Sequence, residues 1–158
     1  MIRVLFVCLG NICRSPLAQG IFENKIENAG LSDKYYADSA GTSAWHQGEK
    51  PDAGSVFIAK ANHLNIENQR SRPVVGGDQH EFDYFIAMDE QNVRSLVGEF
   101  GIPNEKIFKL RQFDPQPDDG NVPDPYGGGK DGFARVYQII DRSMQPLINY
   151  LKSASGDP

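Results

Sequence analysis

The chain has 158 residues, 16 Lys+Arg against 21 Asp+Glu and a formal net charge of −5. That length fits one domain, residues 1–158, with a core large enough to need no staples. The acidic balance and the lack of a Lys/Arg cluster exclude nucleic acid as the main partner. No apolar run nears the roughly 18 residues of a membrane span. The N-terminus lacks the long apolar stretch of a signal peptide, so a cytoplasmic protein is expected. Cys8 and Cys13 are the two cysteines, too few for a disulfide scaffold or a cysteine zinc site.

In chain order, Ile2 to Cys8 is an almost unbroken apolar run and predicts a strand buried on both faces. A short loop, Leu9 to Arg14, follows. Ser15 then reads as an N-cap and Pro16 as the first helical position. Leu17, Ile21, Phe22 and Ile26 form a helical apolar stripe, and Gly30 ends it. Tyr35 to Thr42 predicts a second strand, Ala53 to Asn62 a second helix, and Arg72 to Val75 a short extended piece. Phe82 to Met88 reads as a third strand, after which Asp89 caps a helix carrying Val93, Leu96, Val97 and Phe100. Lys106 to Leu110 predicts a fourth strand. Gln112 to Lys130 holds four prolines and four glycines and reads as a long ordered loop. Asp131 to Leu151 predicts a last helix, kinked at Pro146.

Strands alternating with helices give an α/β fold: a three-layer sandwich with a central parallel, doubly wound four-stranded sheet flanked by helices. Ligands bind such sheets beyond the carboxyl ends of the strands. The chemistry is therefore expected at Cys8 to Ser15, Ser39 to Trp45, and Met88 to Asp89.

The first of these segments has the makings of an anion site. A helix N-terminus offers free N–H groups and about half a positive charge. Gly10 and Asn11 tolerate the positive φ that would turn loop amides inward. Arg14 adds a planar fork for two oxygens of a tetrahedral oxyanion. The expected ligand is phosphate-like, bound by Leu9, Gly10, Asn11, Ile12, Cys13 and Arg14. A Cys8 thiol set among amides, a helix dipole and an arginine is a nucleophile aimed at that phosphate. Ser15 is placed to hydrogen-bond the sulfur. No Gly-Lys-Ser/Thr follows, so this is not a nucleotide P-loop.

Cleaving a phosphate ester also calls for a proton donor. Asp114, Asp118, Asp119 and Asp124 all lie in the Pro-rich loop. Asp124 stands between two prolines that restrict its backbone, but an ordinary Asp-Pro turn has the same spelling. His46, His63 and His80 show no metal-ligand spacing and read as structural or exposed. Asp89 reads first as a helix cap. Trp45, after a turn at a strand end, reads as a cleft wall.

Cys8-Leu-Gly-Asn-Ile-Cys-Arg-Ser-Pro16, Asp38-Ser-Ala-Gly-Thr42, Met88-Asp89 and Asp124-Pro-Tyr126, in this order, resemble the low-molecular-weight protein tyrosine phosphatase family over the whole chain. The resemblance implies hydrolysis of phosphotyrosine in proteins through a phosphocysteine intermediate, with no metal and no cofactor. Cys8 would attack phosphorus, Arg14 and the loop amides would hold the equatorial oxygens, and Asp124 would act as acid and then base. Ser15 would assist the thiolate, Asn11 and Ser39 would shape the loop, and Trp45 and Tyr126 would wall the cleft. It also implies a reversible Cys8–Cys13 disulfide under oxidation. The chain departs from the family's common pattern at Gly127, Gln69 and Gly54, which bears on specificity.

Rival readings share the scaffold or the early cysteine. A thioredoxin-coupled arsenate reductase needs further cysteines downstream, and none follows Cys13; glutaredoxin coupling needs fewer and stays open. A sugar-uptake phosphocarrier has no use for Asp124 or Ser15. A phosphotyrosine-binding module without turnover would not need Cys8, Arg14 and Asp124 together. A weak homodimer is left open by the sequence.

Overall fold

The computed structural model describes residues 1–156. The apolar run at the N-terminus forms β1 (Ile2–Cys8), followed by α1 (Arg14–Asn28), β2 (Tyr35–Gly41), α2 (Ala53–Ala61), a one-turn α3 (Asp78–Glu81) and β3 (Tyr84–Ala87). Then come α4 (Glu90–Gly98), a short β4 (Ile107–Lys109) flanked by 3₁₀ turns, and the long α5 (Gly129–Ala154). The sheet runs β2-β1-β3-β4 with every pair parallel. β1 is central, paired from Ile2↔Tyr35 to Cys8↔Gly41 on one side and from Val4↔Tyr84 to Val7↔Ala87 on the other.

Alternation along β1 divides the core in two. Val4, Phe6 and Cys8 face the cluster built by α1, α5 and Ala59 of α2. Leu5 and Val7 face a smaller cluster with Phe85, Leu96 of α4 and Ile102. Because both faces are covered from Val4 to Cys8, that part of β1 has no solvent side, and its spelling is apolar rather than alternating. This is the three-layer, doubly wound sandwich expected from the sequence.

Element ends differ from expectation where side chains, not periodicity, set them. The third strand starts at Tyr84, since Phe82 ends α3, buried against Tyr36 and Phe85. The extended piece near Arg72 contributes a single bridge, Gly41↔Pro73. α5 begins at Gly129, two residues earlier than expected, and continues through Pro146 to Ala154. The proline removes one hydrogen bond from the ladder without ending the helix. Among the described residues, no helix is long and apolar enough to cross a membrane.

Candidate active site

β1 delivers Cys8 to the carboxyl edge of the sheet, and the loop Leu9–Cys13 returns the chain into α1. The scaffold grips this loop by its carbonyls. Thr42 N–H donates to Cys8 O at 2.9 Å, and Ser43 N–H to Leu9 O at 3.0 Å. Ser71 Oγ donates to Gly10 O at 3.0 Å, Asp52 N–H to Ile12 O at 2.7 Å, and Ser55 Oγ to Cys13 O at 3.0 Å. Every peptide among the described residues is trans, so each N–H points opposite to the carbonyl before it. With the carbonyls of residues 8, 9, 10, 12 and 13 engaged by the scaffold, the amides that follow them point away from these grips, and Leu9, Gly10, Ile12, Cys13 and Arg14 of the loop line the cleft. Such a concave set of N–H groups is an anion nest.

The turn itself depends on Asn11, which takes φ 56. Gly10, expected to share this left-handed role, does not have positive φ; its lack of a side chain serves space instead. A Cβ there would lie 3.1 Å from His46 Cδ2. A second expectation also changes. α1 starts at Arg14, with Cys13 at the N-cap position and no side-chain cap. Ser15 and Pro16 are inside the helix. A capping oxygen would occupy the N–H groups that an anion needs, so the helix end is left bare. Pro16 has no N–H to waste in that first turn.

Ser15 Oγ is directed at Cys8 Sγ, 3.0 Å away, and accepts from Asn11 Nδ2 at 2.8 Å. The same amide donates to Ser39 Oγ at 3.0 Å. Asn11 Oδ1 accepts Arg72 N–H at 3.1 Å. Arg14 is buried, and its Nη1 donates to Asp89 Oδ2 at 2.6 Å and to Val122 O at 3.0 Å. Nε and Nη2 have no protein partner among the described residues, which leaves one edge of the guanidinium for a ligand. Burial works against the Arg14 charge, but Cys8, Asp89 and Asp124 outweigh it and push its pKa further up.

Of these residues Cys8 and Arg14 line a cleft of about 290 Å³, while Asn11, Ser15, Ser39 and Asp89 lie behind it. Cys8, Ile12, Cys13 and Arg14 form its floor, with Leu9 and Gly10 beside them; Trp45, His46, Asp124 and Tyr126 form its walls. Trp45 is 77% exposed and Tyr126 62%, as expected of aromatic faces awaiting a planar partner. Asp124 lies on the solvent side and accepts Tyr126 N–H at Oδ1, 3.0 Å, the local turn its prolines favour. Cys8 and Cys13 are both free thiols and buried. Burial first, then the nearby Asp52, Cys8 and Asp124, push the Cys13 thiol up to about 12. Cys13 is thus a neutral thiol at ordinary pH. No group of three or more His, Cys, Asp or Glu among the described residues is arranged to hold a metal ion.

Several site residues were not read from the sequence. His46 lines the cleft and pairs through Nδ1 with Glu49 Oε2 at 2.8 Å; a lone histidine in a loop carries no spacing signal. Asp89 caps α4 as expected and also holds Arg14, the partner its sequence position did not name. Ser43, Asp52, Ser55 and Ser71 shape the loop through its backbone, which no side-chain pattern reveals. Gly54, a departure noted above, sits where a Cβ would fall 2.4 Å from the Phe133 ring, and Phe133 packs on Ile12 and Cys13. A larger residue at position 54 therefore requires a different neighbour from α5.

A thiol at the base of an amide nest, closed by a helix start and one arginine at the head of a parallel sheet, defines a cysteine-dependent phosphatase. The sequence profile of the low molecular weight phosphotyrosine protein phosphatases matches residues 3–155, and the chain belongs to that family. It is 41% identical to the low molecular weight protein-tyrosine-phosphatase YfkJ of Bacillus subtilis over 149 residues, 94% of each chain. It is 40% identical to the low molecular weight phosphotyrosine protein phosphatase of Schizosaccharomyces pombe over 168 aligned positions, 96% of each. The crystal structure of a protein tyrosine phosphatase from Entamoeba histolytica superimposes with a TM-score of 0.90 at 38% identity, covering 98% of this chain and 99% of that one.

Proposed function

We propose that the chain is a single phosphatase domain that hydrolyses phosphotyrosine in cytoplasmic proteins, without metal, through a phosphocysteine intermediate. The observation that carries this reading is Cys8 Sγ at the base of the inward-turned amides, 3.0 Å from the Ser15 hydroxyl. The Cys8 thiolate attacks phosphorus; the S–P bond forms as the P–O bond to the tyrosyl oxygen breaks. Asp124, as the acid, passes its proton to that oxygen. The loop amides and the free edge of Arg14 bind the equatorial oxygens, where charge is held in the transition state. A water then gives its proton to the Asp124 carboxylate and attacks phosphorus. The S–P bond breaks, and the thiolate leaves toward the Ser15 hydroxyl. Trp45 and Tyr126 are suited to flank the substrate ring.

The same floor supports a redox role for Cys8 and Cys13. A peroxide oxidises the Cys8 thiolate to the sulfenic acid, and the Cys13 thiol condenses with it, releasing water and closing a disulfide.

The test is hydrolysis of p-nitrophenyl phosphate and of a phosphotyrosine peptide in the presence of a chelator. Cys8→Ser is expected to abolish turnover. Asp124→Ala should lower kcat by about 10²–10⁴-fold with inhibition by inorganic phosphate retained. Turnover by Cys8→Ser, or activity lost to the chelator, would overturn the proposal.

A further inference from the structure

The hydrogen bonds beneath the phosphate loop continue past the residues that reach Cys8, and their polarity runs one way. Ser15 Oγ accepts from Asn11 Nδ2 at 2.8 Å, so its own proton is available to the sulfur. The second Nδ2 proton goes to Ser39 Oγ at 3.0 Å. Ser39 gives its one proton to Gln19 Oε1 at 2.7 Å. Gln19 Nε2 is turned to Glu23 Oε2, 3.4 Å away on the next turn of α1. A carboxylate only accepts, an amide has one end of each kind, and a hydroxyl has one proton to give. Each partner therefore fixes the next. Glu23 faces the Gln19 nitrogen, the Gln19 oxygen faces Ser39, Ser39 donates outward and accepts from Asn11, and Ser15, having accepted, donates to Cys8.

We propose that Gln19 is a positioning residue for the Cys8 nucleophile, its Oε1 being the acceptor that holds Ser39, Asn11 and Ser15 in the orientation in which the Ser15 hydroxyl donates to the sulfur. Gln19 is outside the catalytic cleft; with Ser39, Asp38 and Gln69 it lines a separate cavity of about 440 Å³ on the far side of the loop. Without this acceptor the Ser39 proton must turn elsewhere, and the outlet that disturbs Ser15 is Asn11 Oδ1, reached by turning the Asn11 amide over. That inversion sets Oδ1 against Ser15, whose proton then leaves the sulfur for Asn11. The Arg72 N–H bond to Asn11 Oδ1 at 3.1 Å opposes the inversion, so the effect is a partial loss rather than an abolition. The inference rests on the phosphatase reading above for its consequence in turnover, but not for its consequence in thiol reactivity.

Three substitutions separate acceptor chemistry from shape. Gln19→Glu keeps an acceptor at the same reach, Gln19→Met keeps the length without one, and Gln19→Lys puts a pure donor there. The measurements are kcat and KM for p-nitrophenyl phosphate, the competitive inhibition constant of inorganic phosphate, and the alkylation rate of Cys8 by iodoacetamide at one fixed pH. Met and Lys are expected to lower kcat and the alkylation rate by about threefold to tenfold, the worth of one hydrogen bond. The phosphate constant should stay within about twofold, and Glu should match the parent chain. In a Ser15→Ala background the Gln19→Met penalty on alkylation should vanish, since the bond it acts through is gone. A penalty that persists there, a Glu variant as slow as Met, or Met and Lys equal to the parent would each overturn the proposal. Should the Met variant not fold, the Glu and Lys pair decides. Failure of the parent chain to hydrolyse the ester would refute the phosphatase reading alone, because alkylation needs no turnover.

Discussion

Substituting Asp89 separates two tasks performed by one carboxylate. Its Oδ1 accepts Asn92 N–H at 2.9 Å and caps α4, while its Oδ2 accepts from Arg14 Nη1 at 2.6 Å. The Arg14 side chain is only 4% exposed and Asp89 23%. Removing a good cap costs about 1 kcal/mol. Depriving a buried guanidinium of its counter-ion costs about 3–5 kcal/mol in general, and about 2–3 kcal/mol is expected here because Val122 O still accepts from the same nitrogen. Asp89→Ala should therefore lose about 3–4 kcal/mol, Asp89→Ser, which still caps, about 2–3, and Asp89→Asn, with a cap and a neutral acceptor, about 1. At about 2–4 °C per kcal/mol for a chain of this size, the Ala variant should melt roughly 10 °C lower. Thermal unfolding followed by circular dichroism gives the order, and the inhibition constant of inorganic phosphate reports whether Arg14 is still aimed. Melting points for Ala and Ser within about 1 °C of the parent chain would refute the reasoning, since the ion pair would then carry nothing. A Ser variant as unstable as Ala would refute the separate cap.

Asp114 has no exposed side-chain surface and binds Arg111 at 3.0 Å and Arg142 at 2.8 Å. Burial alone would raise its pKa, but both arginines and the Gln116 N–H lower it from 3.8. Its stabilisation is thus complete above that value and lost as pH falls below it, and Asp114→Asn should flatten the acid limb of a melting-point profile. For Cys13 the sign is reversed. With its pKa raised from 9.0 to about 12, its contribution is full below pH 9 and fades as the pH rises toward 12. Cys13→Ala should weaken the alkaline loss of melting temperature between these values; an unchanged slope would contradict the burial argument. Gly54→Ala drives a Cβ against the Phe133 ring at 2.4 Å, and overpacking of this kind costs about 1–3 kcal/mol. Phe133→Leu in the same chain should recover part of it.

The layered fold was legible because β1 is apolar on both faces and α1 and α5 carry long stripes against it. The nucleophile, the arginine and the serine were legible because one short segment holds them all. What the sequence hid falls into two physical kinds. One is partnership across distance: Asp89 lies at a strand end where the site is expected, but it is 75 residues from Arg14, and its spelling as a cap does not name that partner. The other is the use of backbone as ligand. Ser15-Pro16 carries the spelling of a capped helix start, yet in the structure the cap is withheld and the helix begins two residues earlier, at Arg14. The carbonyl grips from Ser43, Asp52, Ser55 and Ser71 have no sequence signature, since any donor of suitable reach would serve. The one-turn α3 is too brief for periodicity to register.

The loop is encoded early and completed late. Cys8 to Ser15 leave the ribosome first, but the acceptors of Arg14 come from Asp89 and Val122, the Asp124 wall follows, and Phe133, which packs beneath Ile12 and Cys13, belongs to α5. Until some 130 residues have been synthesised and docked, the nascent chain holds a cysteine beside an unaimed arginine. The surroundings of Cys8 are therefore assembled from both ends of the chain, and the eight-residue motif is only the first part of them.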